Sequence, residues 1–237
     1  MTPRFLARIR RVAVGLAAVS GFLALMPGCD PRQAMYFLQP YEQTIPGGCP
    51  SLSGKRVVVL TMTVPGSSSD TIGIDAEITD KLVAILKREV KKIDVVEPGK
   101  VRDWARNKPS LTDPADAARA FEADVVIYLE IRKFQIQNPQ DLQMLSGESD
   151  ISIQVTELKY PKDDRGHPMK DKPKESELIH DENETTKFPI TGGRPIEVGT
   201  SKTMFKRAFT KLVVDEISWH FVPHAPGDDI QDTRVKD

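Results

Sequence analysis

The sequence predicts an α/β (α+β) domain: a three-layer-like mixed sheet of four to five strands, packed by two long and two short helices in the order β-α-β-α-α-β-β-β-α. Three observations predict it. Arg56-Val57-Val58-Val59-Leu60-Thr61-Met62-Thr63 is β-branched and apolar on both parities, the pattern of a strand covered on both faces. Two segments, one around Ile74 to Val90 and one from Ser201 to Phe221, carry apolar residues at three- and four-residue spacing. Between them Val125 to Gln137 and Asp150 to Leu158 alternate with the period of a hairpin.

Taken in order, the first strand begins just after Lys55 and is followed by Pro65-Gly66-Ser67-Ser68-Ser69-Asp70. A helix then runs along Ile74, Ile78, Leu82, Ile85, Leu86 and Val90, with Lys81, Lys87, Arg88 and Lys91 outside. Ile93-Asp94-Val95-Val96 gives a short second strand before Glu97-Pro98-Gly99. Two short helices follow. The first surrounds Val101 and Trp104 and is stopped by Pro109; the second starts at Asp113-Pro114 and has Ala117, Ala118 and Phe121 inside. In the next strand Ile127, Leu129 and Ile131 share one parity while Phe134 and Ile136 take the other, so a bulge is expected near Arg132-Lys133. A loop opens at Asn138-Pro139-Gln140-Asp141, and the returning strand turns Ile151, Ile153 and Val155 inward against Ser152, Gln154 and Thr156. Residues 159–184, rich in Lys, Asp, Glu and Pro, read as a charged insertion or long loop. Thr185 to Ile190 supplies a last short strand, Gly192-Gly193-Arg194-Pro195 a turn, and Phe205, Ala208, Phe209, Leu212, Val213 and Ile217 the stripe of the final helix. Pro223 ends that helix, and no internal repeat is visible.

The chain starts differently. Arg4, Arg8, Arg10 and Arg11, with no acid among them, precede an apolar run from Val12 to Met26 that ends in Pro27-Gly28-Cys29. A basic n-region, an apolar h-region and a small residue before a break describe a secretory signal. Leu-Met-Pro-Gly-Cys resembles the lipobox of bacterial lipoproteins, in which the cysteine takes a diacylglycerol and becomes the first residue of the mature chain. Pro27 and Met26 depart from the usual residues of that motif. An uncleaved anchor and a plain cleaved signal are the competing readings; the apolar run is shorter than the ~20 residues of a spanning helix. The expected organisation is a signal peptide over 1–28, a lipidated N-terminus and Pro-rich tether over 29–54, one domain over 55–222 and a loose tail over 223–237. The domain is then lipid-anchored to a membrane and faces the periplasm; Asp30 resembles an inner-membrane retention signal, which leaves inner against outer membrane open.

Loss of the four leader arginines lowers the basic side chains from 33 to 29 against 34 acidic ones. That weak acidic balance argues against nucleic-acid binding through a basic surface. There are two cysteines. If Cys29 is acylated, Cys49 stands alone, either as a reactive thiol or as an inert one in a Gly-Gly-Cys-Pro turn.

Motifs with chemistry are sparse. Gly66, Ser67, Ser68 and Ser69 sit between a buried strand and a helix, where an anion can meet a helix N-terminus. The stretch lacks the G-K-[ST] ending and the G-x-G-x-x-G run of phosphate loops, and the plainer reading is a loop in which Ser69 or Asp70 caps the helix. His220 and His224 are four apart but straddle Pro223; no H-E-x-x-H or Cys/His cluster occurs, so neither a metal nor another cofactor is expected. No G-x-S-x-G is present. Trp104 and Trp219, at helical spacing from apolar neighbours, read as core.

The valine-rich first strand, the long helix, the string Ala120-Phe121-Glu122-Ala123-Asp124-Val125-Val126-Ile127-Tyr128 and the terminal helix, behind a lipid anchor, resemble a group of bacterial envelope proteins. The group comprises the curli-secretion lipoprotein, the lipoprotein activators of peptidoglycan synthases and the N-terminal domain of the Tol-system propeller protein. The resemblance covers roughly residues 55–222. It implies a non-enzymatic accessory or assembly factor whose partner is another envelope protein, with self-association left open. Pore-forming hairpins like those of the curli relative need alternating strands with an apolar face, and the charged insertion offers none. The candidate partner surface is the polar hairpin face, Gln135, Gln137, Ser152, Gln154 and Thr156, or the loop from Pro139 to Ser146. The alternative function is binding or turnover of an anionic small molecule at the 66–70 loop.

Overall fold

The computed structural model describes residues 44–64, 72–108, 113–138, 141–188, 194–195 and 202–226. All fall within the compact unit Thr44–Asp237. The strands are β1 (Arg56–Thr63), β2 (Asp94–Val95), β3 (Val125–Asn138), β4 (Asp141–Lys159), β5 (Glu175–Phe188) and β6 (Arg194–Pro195). The helices are α1 (Ile74–Glu89), α2 (Pro98–Arg106), α3 (Ala115–Ala120) and α4 (Lys202–Trp219). They build one mixed sheet in the order β2-β1-β3-β4-β5, with β6 pairing with β4. β1 is parallel to β2 and to β3, whereas β3, β4 and β5 run antiparallel in turn.

β1 explains the layering. Val57 and Val59 point into one apolar cluster with α1 and α4, while Val58 and Leu60 point into a second with α2 and α3. All four are at most 2 % exposed. Burial of each such side chain stabilises the fold by roughly 1.5–3 kcal/mol, which is why a strand apolar on both parities settles in the interior of a three-layer stack. The first cluster is the larger. It takes Ile78, Leu82 and Leu86 from α1, Phe205, Phe209, Leu212, Val213 and Ile217 from α4, and the inward stripes of β3 and β4.

The expected bulge is present: the β3–β4 register shifts between Ile131 and Lys133. The extra residue, Arg132, lets Phe134 and Ile136 rejoin the face of Ile127, Leu129 and Ile131, and all five are buried together. The two helix starts fare differently. α1 begins at Ile74, with Gly73 at φ 72° as its N-cap and no side-chain cap, so neither Ser69 nor Asp70 holds that position. Asp113 does serve α3, its Oδ1 accepting from the Ala115 N–H at 2.9 Å.

Four stretches differ from expectation. The charged stretch 159–184 is largely strand: residues from Glu175 onward pair with β4 through Phe188, because β4 is 19 residues long and offers a second edge to satisfy. Residues 44–54, expected in the tether, lie on the domain. Cys49 and Leu52 are buried there, the Cys49 N–H donates to the His220 carbonyl at 2.8 Å, and the Ser53 hydroxyl donates to the Lys91 carbonyl at 2.8 Å. The chain also stays with the domain beyond Pro223, since Ile45 and His224 form a β-bridge. Arg194-Pro195, read as a turn, pairs with Met144 and Leu145. Cys29 and Gly66 to Ser69 lie outside the described residues.

Candidate functional site

The half of the sheet beyond β1 has two unlike faces. Toward α4 the stripes of β3 and β4 are apolar; on the other side, where α2 and α3 cover β1 and its neighbourhood, the β3–β4–β5 surface is polar. Cross-strand register places Tyr128, Gln154 and Asp181 in one row, Glu130, Ser152 and Asn183 in the next, and Gln135, Glu148 and Lys187 in a third. Asp181, Asn183, Thr185 and Lys187 are exposed. Of the predicted surface residues, Gln135, Ser152, Gln154 and Thr156 share this face, whereas Gln137 pairs with the core residue Leu145 beyond a register shift. Gln135, Gln137, Gln154 and Thr156 are half-buried, whereas Ser152 is only 2 % exposed. The bulge residue accounts for Ser152: Arg132 donates to Glu130 Oε2 at 3.2 Å on one side and to Asn183 Oδ1 at 3.0 Å on the other, spanning the strand between.

Charge on this face is mixed and internally matched. Glu148 takes bonds from Lys133 Nζ at 2.7 Å and Gln135 Nε2 at 3.2 Å, with Lys187 Nζ at 3.7 Å. The Lys133 bond holds the Glu148 carboxyl below the usual carboxylate range against a smaller opposing effect of burial. Gln137 instead accepts at Oε1 from Nζ of Lys202, the first residue of α4, at 3.3 Å. Such a surface can offer a partner oriented hydrogen bonds and charge pairs.

A second place is a cleft of about 400 Å³ at the carboxyl end of β1, lined among others by Thr61, Thr63, Asp75, Thr79, Arg102 and Arg106. It lies where the chain leaves β1 for the 65–71 stretch, the end of a parallel pair at which α/β folds place ligands. Its cations are already engaged: Arg102 with Asp80 at 2.8 Å and Arg106 with Asp103 at 3.4 Å. The Thr79 hydroxyl bonds Thr61 Oγ1 and the Asp75 carbonyl, each at 2.7 Å. The buried Thr63 hydroxyl has no partner among the described residues.

The third place was not visible in the sequence. Along β5, His180, Glu182 and Glu184 pair with Val155, Ile153 and Ile151, and so sit on the face toward α4. There they meet His220, just past the α4 C-terminus. His180 Nε2 lies 3.2 Å from His220 Nδ1, Glu182 Oε2 3.4 Å from that same Nδ1, and Glu184 Oε2 3.1 Å from His220 Nε2. His180, Glu182 and His220 are the residues able to hold a metal ion among those described, with ligand atoms within 4.8 Å of one another. The only sequence trace is H-x-E-x-E at strand spacing, 36 residues before His220 when counted from Glu184. His220 and His224, four apart across Pro223, point to different neighbours: the His224 ring stacks on Trp219 with centroids 4.7 Å apart.

Cys49 is a free thiol, 8 % exposed, and burial pushes it up to about 11, against the opposing pull of Lys55. It is inert at neutral pH by that measure. No helix among the described residues is long and apolar enough to cross a membrane.

No family model matches the chain, and no curated protein is similar to it. Among solved structures it is similar to a PelC dodecamer from Paraburkholderia phytofirmans (10 % identity, TM-score 0.37, covering 76 % of this chain and 96 % of that one). It is similar also to lipoprotein GNA1162 from Neisseria meningitidis (11 %, TM-score 0.40, 71 % and 99 %) and to the LpoB C-terminal domain from Salmonella enterica (15 %, TM-score 0.32, 56 % and 83 %). At these TM-scores the likeness is loose and sets neither partner nor function.

Proposed function

We propose that this is a lipid-anchored envelope protein, tethered through Cys29 and facing the periplasm, that acts as a non-enzymatic accessory or assembly factor by binding another envelope protein. The observation that carries the reading is the pairing of the leader with the polar sheet face. Arg4 to Cys29 has the order of charge, apolar run and cysteine that lipidation requires. The β3–β4–β5 face leaves a band of half-buried glutamines flanked by matched charges on the side where no described helix lies over β5. Such a face suits a partner that reads hydrogen bonds and charge.

Two measurements test it. Cys29→Ser should move the protein from the membrane to the soluble fraction; continued tight membrane association would turn the leader into a helix anchor. A photo-crosslinking amino acid at Gln154 or Gln135 should give a discrete adduct with one envelope protein, while the same probe at Lys87, on the solvent side of α1, gives none. Equal labelling from both faces, or adducts only with a second copy of this chain, would reject the proposed surface.

The cleft at the end of β1 favours a second reading, binding of an anionic small molecule beside Gly66 to Ser69. Arg102 and Arg106 line it. Inorganic phosphate should then raise the melting temperature relative to chloride at equal ionic strength, and Arg102→Gln with Arg106→Gln should abolish the difference. An unchanged phosphate effect in that double variant removes the reading.

A further inference from the structure

We propose that His180, Glu182 and His220 bind a divalent transition-metal ion of tetrahedral preference, zinc by chemistry, with Glu184 supporting His220 from behind.

The geometry comes from two elements that sequence keeps 40 residues apart. β5 is an edge strand, and its period-two alternation aims His180, Glu182 and Glu184 at the end of α4. His220 is fixed by its backbone. Its carbonyl accepts the Cys49 N–H at 2.8 Å, and Gly47 packs so closely that a Cβ there would stand 2.9 Å from the same carbonyl oxygen. With both supports rigid, the separations carry weight. Zinc takes nitrogen at about 2.0–2.1 Å and carboxylate oxygen at about 2.0–2.2 Å, so neighbouring corners of a tetrahedron lie about 3.3–3.5 Å apart. The two distances that meet at His220 Nδ1 are 3.2 and 3.4 Å.

Orientation agrees with distance. Glu184 accepts from His220 Nε2 at 3.1 Å, which places the ring proton on Nε2 and leaves the Nδ1 lone pair directed at His180 and Glu182. A carboxylate behind a ligating histidine is the arrangement by which proteins fix the tautomer and raise ligand basicity. His180 is itself buried, so its ring is held in place against the end of α4. Without a metal, His180 Nε2–H can donate to His220 Nδ1. When the ion binds, that proton passes through solvent to His180 Nδ1, both nitrogens keep their lone pairs on the metal, and no group is oxidised or reduced. The Glu182 side chain is 56 % exposed, so the fourth corner opens toward water. Three protein ligands and one open position describe an exchangeable site rather than a closed structural one.

The plainer account is that charged residues on an edge strand merely discourage strand addition. It predicts no stoichiometric metal binding. The full chain in detergent, carrying no histidine tag and stripped with chelator, is titrated with zinc chloride and, separately, with cobalt(II), with magnesium as control. The expected result is one equivalent of zinc, a raised melting temperature, and the visible absorption of tetrahedral cobalt. Glu182→Gln and His220→Gln should each lose the cobalt band, Glu184→Gln should weaken zinc about 10- to 100-fold, and His167→Ala should change nothing. Should His220→Gln fail to fold, the exposed Glu182→Gln and the Glu184→Gln pair still decide. Absence of stoichiometric binding, or unchanged binding in Glu182→Gln and Glu184→Gln, overturns the site.

Discussion

Gly147 gives the sharpest test of the packing. A methyl group there would stand 2.4, 2.6 and 2.7 Å from three atoms of the Phe209 ring, and ordinary contact begins near 3.4 Å. In Gly147→Ala the ring or the strand must therefore move by about 1 Å. The ring has nowhere to go: Phe209 is fully buried, with Phe134 at 5.3 Å and Phe205 at 6.4 Å between ring centroids. Overpacking of this kind costs roughly 1–3 kcal/mol. Replacing glycine within a strand returns about 0.5–1 kcal/mol through the unfolded chain, so a net loss within about 0–2.5 kcal/mol, near 1.3 kcal/mol at mid-range, is expected. With a urea slope near 2 kcal/mol/M, the unfolding midpoint should fall by about 0.5–1 M. In a Phe209→Leu background the same substitution should be neutral or stabilising, a coupling of about 1–3 kcal/mol by double-mutant cycle. An unchanged midpoint in the wild-type background, or an equal fall in both, would refute the claim that β4 passes α4 at the distance only glycine permits.

Other outcomes follow from the same structure. In Cys29→Ser, Cys49 should react with an aromatic disulfide reagent at pH 8 orders of magnitude more slowly in the native protein than in urea, because burial holds the thiol near 11; equal rates would show it exposed. Acid should destabilise the fold through three carboxylates. Lys133 lowers Glu148; for Glu157 burial acts upward but is outweighed by hydrogen bonds from Lys159 and Lys55; for Asp124 burial is outweighed by Lys174 and the Arg56 N–H. A depressed folded value means stability that is fully present above the unfolded carboxylate range of about 4 and is lost as pH falls through the folded values. The urea midpoint should thus drop below about pH 4, less steeply in Glu157→Gln; a midpoint flat from pH 7 to 2 would contradict it. Gly47→Ala should loosen residues 44–50 from the α4 end and speed hydrogen exchange at the Cys49 amide, while that at Leu129 in the sheet centre stays slow.

The sequence by itself determined whatever apolar period could express. β1 was legible because a strand buried on both faces must be apolar on both parities, and α1 and α4 because their stripes recur at helical spacing. The bulge at Arg132 was legible for the same reason, since the apolar parity changes there and a continuous core demands an extra residue. The proposed leader rests likewise on local order alone, charge before apolar run before cysteine. What only the tertiary structure decided is where polar segments go. The stretch up to Glu184 looks like a solvated loop because its inward positions His180, Glu182 and Glu184 are polar; they become a strand face because His220, just past α4, answers them, as Glu216 of α4 accepts from the Thr186 hydroxyl. Gly147 and Gly47 likewise carry no signal until a ring or a carbonyl comes against them. Hydrophobic burial is a property each residue brings with it, whereas a buried polar group is stable only with a partner, and the partner's place is fixed by the fold.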